Sequence, residues 1–169
     1  LGNQEGVDIM LYPPEELEVV SYPFLDNELV VIAAGGHWAA GQSLELSALA
    51  GERFILREVG SGSRRTIDTH LQAIGLKLDV KLTLNSNEAI CDLVASGMGP
   101  AVLSRHALPA DPASGGLCIL DINGFPLRKP WRAVHLKSKI LSLPARAFLD
   151  HLLLDANTPR YGQGAGTAA

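Results

Sequence analysis

The chain has 169 residues, 47% of them hydrophobic and 19% charged, enough apolar material for one globular domain or two small ones. Its formal net charge of −4 argues against a nucleic-acid-binding surface. No apolar run is long enough to span a bilayer, so no membrane partner is expected, and no basic region followed by an apolar one marks a secretory leader. The opening, Leu1-Gly-Asn-Gln-Glu-Gly, lacks methionine, which suggests a fragment. Cys91 and Cys118 match neither metal nor redox spacing and read as buried, reduced thiols in a cytosolic protein.

Residues 7–11 (Val-Asp-Ile-Met-Leu) read as a short buried strand ended by Pro13-Pro14. Residues 18–24 and 28–34 read as two more strands. Turn chemistry at Asp26-Asn27 between them suggests that they pair as neighbours. Gly35-Gly36-His37 ends the third strand in a loop, and residues 43–50 read as a short helix.

Phe54-Ile55-Leu56 is a buried strand, followed by the turn Gly60-Ser61-Gly62-Ser63. Glycine suits such a turn because it reaches backbone angles that other residues avoid. Ser63 reads as the N-cap of a helix whose apolar face is Ile67, Leu71 and Ile74, with Gly75 as its stop. Unbonded amides and the helix dipole make such a helix start attractive to an anion. Ser61, Ser63, Arg64 and Arg65 lie beside it. The competing reading leaves Ser63 as a cap only and both arginines solvated.

Residues 79–84 alternate like a strand. Asn85 then reads as an N-cap with Glu88 three positions on, a capping-box pattern, or alternatively as a direct ligand contact. Ala89, Ile90, Leu93 and Val94 form the inner face of the next helix, which Gly97 closes. The strand–turn–helix pattern has thus occurred twice, and a strand at 100–103 follows. That alternation predicts an α/β fold with a parallel or mixed sheet, and ligands in such sheets sit beyond the carboxyl ends of the strands.

Residues 108–116 read as an exposed loop and 117–122 as one strand, with a turn at Asn123-Gly124. Arg128-Lys129 reads as a solvated pair. Residues 131–136 alternate as a strand in which Trp131 packs. Ser142 caps a last amphipathic helix through Leu154, with Pro144 in its first turn and Phe148, Leu149, Leu152 and Leu153 facing a core. Residues 158–169 carry no core-forming pattern and read as disordered.

No enzymatic constellation accompanies these elements. Arg65 occupies the third glycine position of a dinucleotide fingerprint, the lysine of a P-loop is missing, and there is no Gly-x-Ser-x-Gly elbow. The five histidines show no metal-ligand spacing, so neither a metal nor a cofactor is expected, and no catalytic residue is assigned.

Arg57-Glu58, Gly60-Ser-Gly-Ser-Arg64 and the run from Ile90 through Gly99-Pro-Ala-Val-Leu103, taken in order, resemble the effector-binding domain of LysR-type transcriptional regulators. Asp121-Ile-Asn-Gly-Phe-Pro126, Pro130-Trp131, Val134-His135 and Ala147-Phe148-Leu149 are similar to the subgroup that regulates Calvin-cycle (RuBisCO) operons. The similarity covers roughly residues 7–154.

The resemblance implies a two-lobed fold like that of type II periplasmic binding proteins, with mixed sheets and a first lobe that is incomplete in this chain. Residues 1–33 would be the remainder of lobe I, 34–130 lobe II, 131–155 the return strand and helix, and 156–169 a tail. It also implies a small anionic effector, phosphorylated in this subgroup, held between the lobes. Its contacts would be Ser61, Gly62, Ser63, Arg64, Asn85 and Ser86, with the hinge near Ala33 and Ala34. The regulator would be a cytoplasmic homodimer or tetramer, touching operator DNA only through an N-terminal domain absent here. Contact between Arg64 and the effector would make binding sensitive to salt. A solute-binding protein of a transport system shares the fold and is the alternative; an enzyme would have only the anion-friendly turn in its favour.

Overall fold

A computed structural model describes residues 6–157. Residues 1–5 and the tail at 158–169 lie outside the described residues. In chain order the elements are β1 (Asp8–Met10), β2 (Val19–Leu25), β3 (Glu28–Ala34), β4 (Ser43–Leu44), β5 (Arg53–Arg57), α1 (Gly62–Ile74), β6 (Asp79–Leu84), α2 (Asn87–Ala95), β7 (Ala101–Ser104), β8 (Leu117–Ile119), β9 (Asp121–Ile122), β10 (Leu127–Arg128), β11 (Trp131–Leu136) and α3 (Leu143–Asn157). α3 thus runs past residue 155, where the tail was expected to begin.

Contacts divide the described chain into two compact units, residues 6–26 with 130–157, and Asn27–Lys129. The first contains a three-stranded antiparallel sheet in the order β1-β11-β2. Its core is small: Val7, Ala133, Ala145 and Leu149, flanked by Tyr22, Phe24 and Leu152. Ser142 caps α3 as expected, its Oγ accepting from the Ala145 N–H at 3.3 Å. Phe148, expected on the core face of α3, is 40% exposed.

The second unit holds a mixed sheet in the order β10-β3-β7-β5-β6, with β8 also paired to β3. β5 lies parallel to both β6 and β7. Alternation along β5 divides the core in two. Phe54 and Leu56 pack with Ile67 and Leu71 of α1, and Ile55 packs with Ile90 and Val94 of α2. Side chains alternate across a strand, so α1 and α2 cover opposite faces. The parallel β5–β6 and β5–β7 pairs each need a crossover, and α1 and α2 supply them.

Several expectations change at this level. β2 and β3 are not a hairpin: β2 pairs with β11 in the first unit, while β3 pairs with β7, β8 and β10 in the second. The Asp26-Asn27 turn is where the chain passes from one sheet to the other. The division accordingly falls after Asp26 rather than after residue 33, because the apolar β3 is fully enclosed by the second sheet. Ala33 and Ala34, expected at the hinge, are laddered to Cys118 and Leu117 of β8, and the Gly35 N–H extends that contact to the Gly116 carbonyl at 2.9 Å.

The chain instead enters and leaves the second unit at Asn27 and Lys129, where the Lys129 N–H donates to the Asn27 carbonyl at 3.0 Å. Asn27 is fully buried, and its Oδ1 accepts from the Ser104 hydroxyl. The helix expected at 43–50 is strand β4 followed by a single 3-10 turn, Leu46–Leu49. The strand expected at 117–122 is two, because β8 pairs with β3 while β9 turns away to pair with β4.

Candidate functional site

The β5–β6 ladder ends at Arg57 opposite Leu84 and is extended by the Glu58 N–H, which donates to the Leu84 carbonyl at 3.0 Å. Beyond that point the two strands part. β5 leads into α1 on one face and β6 into α2 on the other, and crevices in open α/β sheets form at such divergences.

The first exit turns through residues 58–61, closed by the Ser61 N–H on the Glu58 carbonyl at 3.2 Å. Gly60 has φ +102° there, a value that only glycine adopts readily. The N-cap is Ser61, not Ser63: its Oγ accepts from the Arg64 N–H at 3.0 Å. The chain takes the earlier of two good caps, so Gly62 and Ser63 become the first helical residues. Their N–H groups have no carbonyl within the helix to bond. Ser61 through Arg64 are all half-buried.

The second exit repeats this arrangement. The cap is Ser86 rather than Asn85, and its Oγ accepts from the Ala89 N–H at 3.2 Å. The N–H groups of Asn87 and Glu88 are left over as those of Gly62 and Ser63 are. The shift by one residue moves Glu88 to the second helical position, so the expected capping box does not form. Asn85 is exposed in the turn.

The cations of the first turn are already paired. Arg64 directs Nε to both oxygens of Asp68 at 3.1 Å and Nη1 to the Arg57 carbonyl at 3.0 Å. Arg57 forks onto Glu58 at 2.9 and 3.1 Å and donates Nη1 to the Asn87 Oδ1 at 2.7 Å. The Arg57 hydrogen bond, with a backbone one beside it, holds the Glu58 carboxyl below the usual carboxylate range. An anion at these helix starts would therefore meet amide N–H groups and hydroxyls, with much of the arginine charge locally balanced. The link through Arg57 and Asn87 was not legible beforehand. Its signal was an arginine at a strand end immediately before a glycine turn.

A cavity of about 220 Å³ lies elsewhere in this unit, lined by Val30, Arg105, Ile119 and Phe125 among others, and contains no residue of the two turns. Burial pushes the thiols of Cys91 and Cys118 up, and both are free. Ile74, expected on the core face of α1, is 50% exposed.

Residues 4–156 match the model of the LysR substrate binding domain. This chain belongs to that family. Within it, the chain is 40% identical over 152 residues to the HTH-type transcriptional activator CmpR of Synechocystis, which covers 89% of this chain and 50% of CmpR. It is also 40% identical over 151 residues to a RuBisCO operon transcriptional regulator of Acidithiobacillus ferrooxidans, covering 89% of this chain and 49% of that protein. The chain thus spans about half the length of these relatives. Among solved structures, the regulatory domain of Synechocystis CcmR in complex with 2-PG superimposes with a TM-score of 0.86 at 41% identity, covering 92% of this chain and 76% of that one. The effector-binding domain of QuiR, at 24% identity and a TM-score of 0.78, supports the fold alone. The expected family and its two-lobed, periplasmic-binding-protein-like α/β fold therefore hold for this LysR substrate binding domain. Among its described residues, no helix is long and apolar enough to cross a membrane.

Proposed function

We infer that this LysR substrate binding domain senses a small phosphorylated anion at the helix starts of the second unit, and so controls transcription of carbon-fixation genes. The observation that carries the reading is the pair of serine-capped helix starts at the diverging ends of β5 and β6. Each offers two amides without a helical partner, and amides so arranged favour negative charge. The ligand class follows from the relative of 41% identity that holds 2-PG, read as 2-phosphoglycolate, a molecule with an anionic group at each end. Ser61, Gly62, Ser63 and Arg64 would serve the first helix start, and Asn85 and Ser86 the second.

The effector would work by differential binding: a ligand shifts an equilibrium only by the difference in its affinity for two arrangements of the protein. Operator DNA would be bound by a segment outside this chain, in a cytoplasmic homodimer or tetramer. The similarity to named transcription regulators favours this reading over a transport protein or an enzyme.

Calorimetry with 2-phosphoglycolate, with amide shifts followed by NMR, tests the site. Binding should shift the N–H signals of Gly62, Ser63, Asn87 and Glu88 first. Joint replacement Ser61→Ala and Ser63→Ala should weaken it by roughly tenfold or more, the worth of at least one hydrogen bond to a charged group. Unchanged affinity in that variant would refute the assignment.

A further inference from the structure

We propose that Arg57 is a positioning residue which sets the separation of the two helix starts, acting through Asn87, and so selects effectors with an anionic group at each end. This rests on the effector reading above. Because α1 and α2 leave on opposite faces of the sheet, their starts are related by little beyond the last rung of the β5–β6 ladder. Arg57 supplies the missing brace. Two of its nitrogens hold Glu58 in the turn before α1, and Nη1 holds Asn87, the first residue of α2. Its own carbonyl receives Nη1 of Arg64 in the first turn of α1.

One residue is thereby bonded to both helix starts. A planar guanidinium fixes such a network in direction as well as length, which a lysine ammonium cannot do. With Glu58 balancing its charge and its fork occupied, Arg57 does not act on the ligand as a free cation. It acts on the geometry that the ligand meets, and a ligand held at both ends gains from having that geometry preset.

The test compares two probes by calorimetry, 2-phosphoglycolate with two anionic ends and inorganic phosphate with one. Arg57→Gln should weaken the two-ended probe by roughly tenfold while changing phosphate affinity by less than about twofold, since phosphate occupies a single helix start. Asn87→Ala, which leaves the Arg57–Glu58 pair intact and guards against misfolding of the first variant, should change the ratio in the same direction. The double variant should be no worse than Arg57→Gln alone, because both remove one link. Arg57→Lys should not restore the ratio.

Equal loss for both probes, or additive losses in the double variant, overturns the assignment. So does parent binding that Arg57→Gln leaves unchanged. A parent chain that binds neither probe overturns the effector reading itself.

Discussion

The two strand–turn–helix repeats of the second unit share a capping scheme and differ in almost everything else. The first has a glycine at positive φ in its entry, Gly60, as well as at its exit, Gly75, and surrounds its turn with Arg57, Glu58, Arg64 and Asp68. The second enters through the short, neutral Asn85-Ser86 with no positive-φ residue, and its exit holds the tightest backbone approach of the two. There, a Cβ on Gly99 would lie 2.0 Å from the Arg53 carbonyl oxygen. The helix starts are thus built alike, while the charge network that braces them comes from one repeat only. On the proposed effector reading, serine caps and unbonded amides would be the shared recognition chemistry, with the ion pairs of the first repeat as the frame around it.

The largest expected effect lies at the exit. Gly99→Ala should cost about 3 kcal/mol or more, because the clashing atom is backbone and must move with β5. Gly60→Ala has open space around it, so only its φ is strained, and it should cost about 1–2 kcal/mol. Asn85→Ala, at the corresponding entry, should stay within about 0.5 kcal/mol as an exposed substitution. Chemical denaturation of the three variants measures this ranking. A costly Asn85→Ala would break the asymmetry between the entries.

The caps come next. Ser61→Ala and Ser86→Ala should each cost about 1 kcal/mol, since each deletes one cap bond to a backbone amide. Equal costs would support the shared scheme. A neutral Ser86→Ala would mean that Asn85 takes over the cap, as the sequence pattern had suggested.

That exchange shows where sequence reading stops. The strands at β3, β6 and β11 and the helices α1 and α2 were legible from apolar spacing, and so was the existence of two polar helix starts. The identity of each cap was not, because Ser61 and Ser63, or Asn85 and Ser86, are comparably good capping residues. Choosing between them takes the turn geometry, which depends on where the β5–β6 ladder ends. The false hairpin at Asp26-Asn27 has a similar origin. Local turn chemistry is the same whether a chain folds back on its own strand or crosses to another sheet, and only the long-range partners β7 and β11 distinguish the two. The β8 ladder on Ala33 and Ala34 was invisible for the same reason. Arg57 was visible as part of an Arg-Glu pair, but its bond to Asn87 spans thirty positions and no periodicity reports it.

A smaller effect follows from acidification. Glu58 titrates below its ordinary value of 4.5 in the folded chain, through its hydrogen bond to Arg57. Its contribution to stability is therefore complete above the unfolded value and is lost as pH falls through the depressed folded one. A thermal-midpoint profile from neutral pH to about pH 3 should fall more steeply for the parent than for Glu58→Gln. The difference should be modest, because the pair is partly exposed and solvent screens it. Identical profiles would mean that the Arg57–Glu58 fork does not persist in solution, which would also loosen the brace between the repeats.

The finest distinction concerns salt. If Arg64 met the effector as a free cation, affinity would drop sharply with ionic strength. Its Nε is instead engaged by Asp68 and its side chain is only 15% exposed, so the charge is largely spent within the first repeat. Affinity for 2-phosphoglycolate should then fall only about threefold between low and high salt, a range over which the screening length contracts from roughly 14 Å to 4 Å. Asp68→Asn releases Arg64 and should raise low-salt affinity by about twofold while steepening the salt dependence, the modest size expected for one surface charge. Were the variant to match the parent at every ionic strength, Arg64 would have no part in recognition. The amides and hydroxyls common to both repeats would then account for all of it.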